Sequence, residues 1–406
     1  MSWRELQLGD AIHVKHGFAF KGEHFSDYGS HVVLTPGNFN EEGGFRLRPG
    51  KDRFYSGDIP EDYILVRGDL ITAMTEQGAG LLGSSALIPE DDKYLHNQRL
   101  GLIQIQDGSL IDKHFLYYLF NTRTVRGQIS GSATGTKVRH TAPERIYRVN
   151  VYVPSSVIEQ QRIASILAAY DNLIENNRRR IQLLEQSARL LYKEWFVHLR
   201  FPGHEHVKIK DGVPEGWDNK TAYDVMDVLG GGTPKTKIPD YWDGDIPFFT
   251  PKDAGDSAYV SNTEKTLTED GLRSCNSKLY PKDTVFITAR GTVGKINLAQ
   301  TPMAMNQSCY ALVAKRPLNQ HYLYFALVDG VEQFRSRAVG AVFDAIIRDT
   351  FKMIPFLVPD EKIIQAFAEH AKLILRQIDV LATESRKLTQ ARDIFLPRLM
   401  NGEVAV

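Results

Sequence analysis

Two stretches of the chain carry a long, regular apolar rhythm. In the first, the inward-type positions fall at Ile163, Leu167, Tyr170, Ile174, Asn177, Ile181, Leu184, Ala188, Leu191 and Trp195, in steps alternating four and three, with no proline or glycine between them. In the second they fall at Ile364, Phe367, Ala371, Ile374, Ile378, Leu381, Ser385, Leu388, Arg392, Phe395 and Leu399. Four to five heptads of this kind predict two long helices that pair as a coiled coil rather than two ordinary surface helices. A helix over 163–195 would run roughly 50 Å at 1.5 Å per residue. Asn177, Ser385 and Arg392 are polar on the seam, where such residues weaken packing but fix register. The rest of the chain reads differently. Short β-like runs bounded by Gly, Pro and Asp occur at Val32–Leu34, Tyr63–Val66, Leu70–Met74 and Leu102–Ile105, and again at Pro247–Thr250, Thr284–Thr288 and Tyr310–Val313. Single helices are predicted near 111–129 and 319–338. Each is followed by a short strand, Asn150–Val153 or Ile354–Val358, that ends at a proline.

These two sets of elements are copies. Trp3 faces Trp217, Thr35-Pro36 faces Thr250-Pro251, and Asp69 faces Asp283. Asn97-Gln98 faces Asn306-Gln307, the Phe115–Tyr118 run faces Tyr322–Phe325, and Pro154 faces Pro359. The order is kept while the offset drifts from 214 to 205. Six pairs in register mark a tandem duplication of a unit of about 200 residues. The fold class expected is α+β: a mixed α/β domain plus a long helix, repeated, with the two helices antiparallel. The boundaries read as a first globular domain over 1–155, a central helix over 156–200, a second globular domain over 201–359 and a C-terminal helix over 360–406.

Composition narrows the function class. The chain has 406 residues, 42% of them hydrophobic, which excludes wholesale disorder. Two cysteines, Cys275 and Cys309, are too few for a disulfide framework or a four-cysteine zinc site and fit a reducing, cytoplasmic setting. The opening MSWRELQLGD lacks the basic-then-apolar pattern of a signal peptide, and no run approaches 18 apolar residues, so neither secretion nor a membrane span is expected. Forty-nine basic and 49 acidic side chains cancel, which at first argues against a nucleic-acid binder. Local counting reverses that. Residues 121–152 carry Arg123, Arg126, Lys137, Arg139, Arg145 and Arg148 against Glu144 alone, a net +5. Residues 273–316 are net +6, whereas 61–92 are net −6. One basic cluster in each repeat, interleaved with Ser, Thr, Gly and Asn, suits phosphate contacts.

Motifs for catalysis do not hold up. Gly78-Ala-Gly80-Leu-Leu-Gly83 fits the glycine fingerprint of dinucleotide or S-adenosylmethionine sites, but Ser84–Pro89 after it reads as a strand, not the helix whose N-terminus would hold a pyrophosphate. Arg290-Gly-Thr-Val-Gly-Lys295 lacks the first glycine and the final Ser/Thr of a phosphate-binding loop. Both are expected to be tight hairpin turns. His204 and His206 have no further metal ligand nearby. Methyltransferase and nuclease tetrapeptides are missing, so no catalytic, cofactor or metal residues are assigned.

One family resembles this plan closely. The stretch VYVPSSVIEQQRIASILAAYDNLIENNRRRIQLLEQSARLLYKEWFVHL over 151–199 and the tail LTQARDIFLPRLMNGEV over 388–404 are similar to the DNA-specificity (S) subunits of type I restriction-modification enzymes. The Glu159-Gln-Gln-x-Ile opening after Pro154 and the Lys193-Glu-Trp-Phe ending are characteristic. The second unit departs from that opening at Lys362-Ile-Ile-Gln365. The resemblance implies two target-recognition domains, each reading one half of a bipartite double-stranded DNA target. Between them an antiparallel helix pair would set the spacer and dock two modification subunits. It also implies restriction subunits as further partners. S-adenosylmethionine, ATP and magnesium would then belong to the partners and not to this chain. The docking seam would comprise Ile163, Leu167, Tyr170, Ile174, Asn177, Ile181, Leu184, Leu191, Trp195, Ile374, Ile378, Leu381, Leu388 and Phe395.

Base-reading residues should lie where the repeats differ, because the two half-sites differ. Thr75, Glu76, Gln77, Lys137, Arg139 and His140 are the candidates in the first domain, with Arg123 and Arg126 as further DNA contacts; Arg290, Lys295, Arg337, Asp344 and Arg348 are those in the second. Asn97-Gln98 and Asn306-Gln307 recur, so they are expected to shape the fold instead. Two other readings compete: a coiled-coil scaffold without DNA affinity, and an S-adenosylmethionine-dependent enzyme using residues 78–83.

Overall fold

The computed structural model describes residues 2–48, 50–78, 80–338 and 345–406. The chain forms two compact units, one of residues 1–172 with 388–406 and one of residues 173–387. Both long helices are therefore divided: each unit contains part of one and part of the other. This differs from the boundaries read from sequence, in which each helix is an element of its own.

In the first unit, Trp3–Gln7 pairs antiparallel with Asn150–Pro154, closing the globular domain on itself immediately before the central helix. A four-stranded antiparallel sheet runs in the order Ile12–His16, Leu100–Ile105, Leu70–Ala73, Ser85–Leu87. Leu70 to Ala73 are buried on both faces, which explains their continuous apolar character. A second sheet is built from two-residue strands, Phe25–Ser26, Phe54–Tyr55, Val32–Val33, Tyr94–Leu95 and Ile64–Leu65. The helix expected over 111–129 is two, Lys113–Phe120 and Arg123–Gly131. Asn121 breaks it because its amide donates to the Tyr117 carbonyl and to Ser85 Oγ at 3.0 Å each, and Thr122 Oγ1 then caps the second helix at Val125 N.

The second unit repeats the plan. Asp218–Thr221 pairs antiparallel with Pro355–Val358, and a sheet runs Met226–Gly230, Cys309–Ala314, Val285–Thr288, Ile296–Ala299, Tyr259–Val260. A three-stranded sheet orders Lys265–Leu267, Trp242–Phe249 and Ala304–Met305, and the helix Gln320–Ala338 follows.

The duplication extends to single hydrogen bonds. Asn38 Oδ1 accepts from Thr35 N at 3.0 Å, and Asp253 Oδ2 accepts from Thr250 N at 2.8 Å. Asn97 Oδ1 accepts from Arg99 N and Asn306 Oδ1 from Ser308 N, both at 3.0 Å. A β-carbon at Gly17 would sit 2.0 Å from the Asn97 carbonyl oxygen, and one at Gly231 would sit 2.2 Å from that of Asn306. Only glycine allows these close backbone approaches.

The central helix spans Val157–Tyr192 and the C-terminal helix Glu361–Met400. Gln160, completely buried, fastens the start of the central helix. Its Oε1 accepts from Asp112 N at 2.8 Å, and its Nε2 donates to the Leu110 and Pro154 carbonyls. The second unit, which lacks this motif, begins its helix on a side-chain cap: Asp360 Oδ1 accepts from Lys362 N at 2.8 Å. In the first unit Tyr170 stacks on Phe395 at 6.3 Å, and Arg392 donates to Asp171 at 2.7 Å, whose other oxygen accepts from Tyr118. In the second, Asn177 Nδ2 donates to Glu384 at 3.2 Å, and Trp195 packs edge-on against Phe367 at 6.0 Å. The three polar seam residues are thus satisfied, Ser385 Oγ donating back to the Leu381 carbonyl.

The heptad reading needs two adjustments. Phe395 is 37% exposed, and Leu396, Leu399 and Met400 carry the packing instead. Leu375, off the seam, is fully buried, as are Phe367 and Ala371. An α-helix drifts about 20° per heptad from a strict seven-residue repeat, so a straight stripe slides off its face. The globular domain of the second unit also covers this half of the helix, widening its buried stripe. At its end the central helix opens into a π-turn, Lys193–Val197, which buries Trp195 and its neighbour Phe196 together.

Candidate nucleic-acid interface

The first unit has a cleft of about 1030 Å³. Thr75–Glu76 pairs antiparallel with Arg139–His140, so two segments singled out separately in the sequence form one wall. Thr75, Gln77 and His140 line the cleft, their side chains without a hydrogen-bond partner among the described residues, while Lys137 lies exposed on the loop leading to that wall. Lining the same cleft are residues that sequence reasoning missed: Arg48, Lys51, Arg53 and Arg99. Their signal was faint because they lie outside the local basic cluster: residues 41–53 hold three acidic side chains among four basic ones, and Arg99 stands alone beside Gln98.

Glu76 does not present a side chain to the cleft in the manner of a base reader. Its carboxylate, 2% exposed, accepts from Gly80 N, Leu81 N and Leu82 N through one oxygen and from Arg139 Nη1 at 3.2 Å through the other. Arg139 also donates to Ser130 Oγ at 2.9 Å. Arg126 closes the same loop, donating to the Leu82 and Glu41 carbonyls at 2.9 Å and to that of Gly80. Glu76, Arg126 and Arg139 therefore act as the frame of the cleft wall: each side chain is held by several hydrogen bonds to protein. The same geometry disposes of the glycine fingerprint. The amides that would cradle a phosphate already hold a carboxylate, and residues 78–83 connect to the strand Ser85–Leu87, not to a helix. Arg123 stands exposed on the first turn of Arg123–Gly131, outside the cleft lining.

In the second unit, Arg290 and Lys295 sit on the hairpin turn between Val285–Thr288 and Ile296–Ala299. Arg290 is exposed, whereas Lys295 is ion-paired with Asp256. Ile346 N donates to the Ala289 carbonyl at 2.9 Å, which brings the segment leading to exposed Arg348 beside Arg290. The matching bond in the first unit runs from Thr141 N to the Met74 carbonyl, also at 2.9 Å, and sets His140 beside Thr75. Asp344 and the side chain of Arg337 lie outside the described residues. The repeated pair Asn306-Gln307 is tied down: Asn306 accepts from Ser308 N and Gln307 from Thr233 Oγ1.

Among the described residues no group of three or more His, Cys, Asp or Glu could hold a metal ion, and no helix is long and apolar enough to cross a membrane.

The profile of the family described as the type I restriction modification DNA specificity domain matches residues 1–186 and 214–390, once per repeat. The chain is 20% identical to the HindI specificity subunit of Haemophilus influenzae over 468 aligned positions, covering 99% of both chains. It is 33% identical over 156 residues to the MjaIX specificity subunit of Methanocaldococcus jannaschii, a match spanning 37% of this chain and 36% of that one. The crystal structure of a type I restriction-modification S subunit from M. genitalium shares the fold, with a TM-score of 0.63 at 16% identity, covering 98% of this chain and 96% of that one. With both repeats matched over most of their length, the chain belongs to the type I restriction-modification DNA-specificity family.

Proposed function

We propose that the chain is the sequence-specific DNA-recognition subunit of a type I restriction-modification assembly, non-catalytic itself, in which each globular domain reads one half of a bipartite target. The observation that carries this reading is a duplication kept down to single hydrogen bonds around walls whose exposed side chains differ. Exposed Gln77 and His140, with half-buried Thr75 beside them, stand in one copy, and Arg290 and Arg348 in the other. A shared frame with divergent tips suits two readers of different sequences.

Antiparallel pairing of the two long helices as a coiled coil is part of the same proposal. The contacts Tyr170–Phe395 and Asp171–Arg392 in one unit, and Asn177–Glu384 and Trp195–Phe367 in the other, support it: partners on one helix fall as those on the other rise. Such a pair would set the spacer between half-sites. Its outward side suits docking of two modification subunits: Leu183 and Leu190 on the central helix and Val197 in the π-turn that ends it recur every seventh residue, as do Leu373 and Val380 on the other helix, all exposed. Those subunits would bring S-adenosylmethionine, and restriction subunits ATP and magnesium, in the cytoplasm, where the DNA is.

A salt series tests DNA affinity against the scaffold alternative. Binding of the complex with its modification subunits to duplex DNA should weaken steeply as salt rises, with a log–log slope of about −0.9 per phosphate contact. A flat or absent binding curve would support the scaffold.

A further inference from the structure

We infer that Arg99 is a specificity-determining residue that reads a guanine in the half-site contacted by the first unit. The inference rests on the DNA-recognition reading above and sharpens it to one side chain and one base.

The cations of the cleft are not equivalent. Arg48 donates to Thr35 Oγ1 at 3.4 Å, and Arg53 lies 3.9 Å from Asp27. Arg126 and Arg139 are committed to the loop that Glu76 organises. Arg99 is exposed, lines the cleft, and has no side-chain hydrogen bond or ion pair among the described residues. Its backbone, in contrast, is fixed at both ends. Its N–H donates to Asn97 Oδ1 at 3.0 Å, its carbonyl accepts from Met74 N at 2.9 Å, and the strand Leu100–Ile105 begins at the next residue. A free guanidinium on a rigid mount is what bidentate recognition requires, since the loss of side-chain freedom on binding is then the only ordering cost.

The repeat tells which kind of contact this is. The same turn recurs at Asn306, with the same hydrogen bond to the residue two further on, but that residue is Ser308. A contact to the phosphate backbone serves any sequence and has no reason to differ between copies. A contact to a base edge must differ when half-sites differ. Among bases, arginine pairs bidentately with the O6 and N7 of guanine in the major groove. Gln98, beside it and without a side-chain partner among the described residues, has its counterpart Gln307 held by Thr233, so the whole turn is freer in the first unit.

The test uses the full chain with its modification subunits and reads the methylated sequence by single-molecule sequencing, for the wild type and for Arg99→Ala and Arg99→Lys. The expected result is a wild-type target with a G·C pair in one half. In Arg99→Ala that position alone accepts other bases, its discrimination falling roughly 5- to 150-fold while the other half is unchanged. Arg99→Lys keeps the charge but not the fork, and should relax the same position in part. An unaltered target in Arg99→Ala, or a uniform loss of methylation at an unaltered target, overturns the inference and leaves Arg99 a phosphate contact or a bystander. A wild type that methylates no bipartite target would instead sink the DNA-recognition reading itself. The side chain is exposed and unpartnered, so thermal melts of the variants should match the wild type; a lowered melting point would count against a free Arg99.

Discussion

At the scale of single residues, the first unit separates side chains that frame the cleft from those that face it, and stability tells them apart. Glu76 is buried with four hydrogen-bond donors converging on it. Glu76→Ala leaves three amides without an acceptor and strips the Arg139 guanidinium of its carboxylate partner, and should destabilise the protein by about 3 kcal/mol in urea denaturation. Unchanged stability together with a changed methylation target would return Glu76 to the base readers. Sequence divergence between the repeats singled out 75–77 and 137–140, and the structure brings Thr75 against His140 and Glu76 against Arg139. Divergence alone could not say which of them point outward, because burial depends on the amides of Gly80, Leu81 and Leu82 turning onto Glu76. Arg99 carries a different ambiguity: it stands alone beside the repeated pair Asn97-Gln98, of which Asn97 holds the turn, and repetition points to fold and not to reading.

At the scale of elements, the long helices were legible because a seven-residue rhythm is a global property of a segment. The two-residue strands Phe25–Ser26 and Phe54–Tyr55 were not, because pairing partners far apart in sequence create them. The seam also predicts its own weak point. Leu184 is half-buried against the core of the second unit, and Leu184→Asp places a charge there at a cost of about 2–4 kcal/mol. The unfolding midpoint of the purified chain should fall accordingly, and recovery of modification subunits in pull-down should fall with it. A variant with a wild-type midpoint would show that Leu184 is not a seam residue. By contrast Phe395, more than a third exposed, should tolerate alanine with less loss than Leu399.

At the scale of the whole molecule, the neutral total charge hides segregated patches, and the duplication gives them meaning. Each copy keeps one scaffold of turns, caps and close glycine contacts, and varies the side chains standing on it. That is an economical way to obtain two independent readers from one chain, and independence is the central claim. The direct test is to exchange residues 1–155 for the matching domain of another family member. The methylated sequence is then determined in cells that carry the modification subunits. Independent readers predict a new sequence in one half of the target, with the other half and the spacer retained. A target altered in both halves, or altered in neither, would contradict the account.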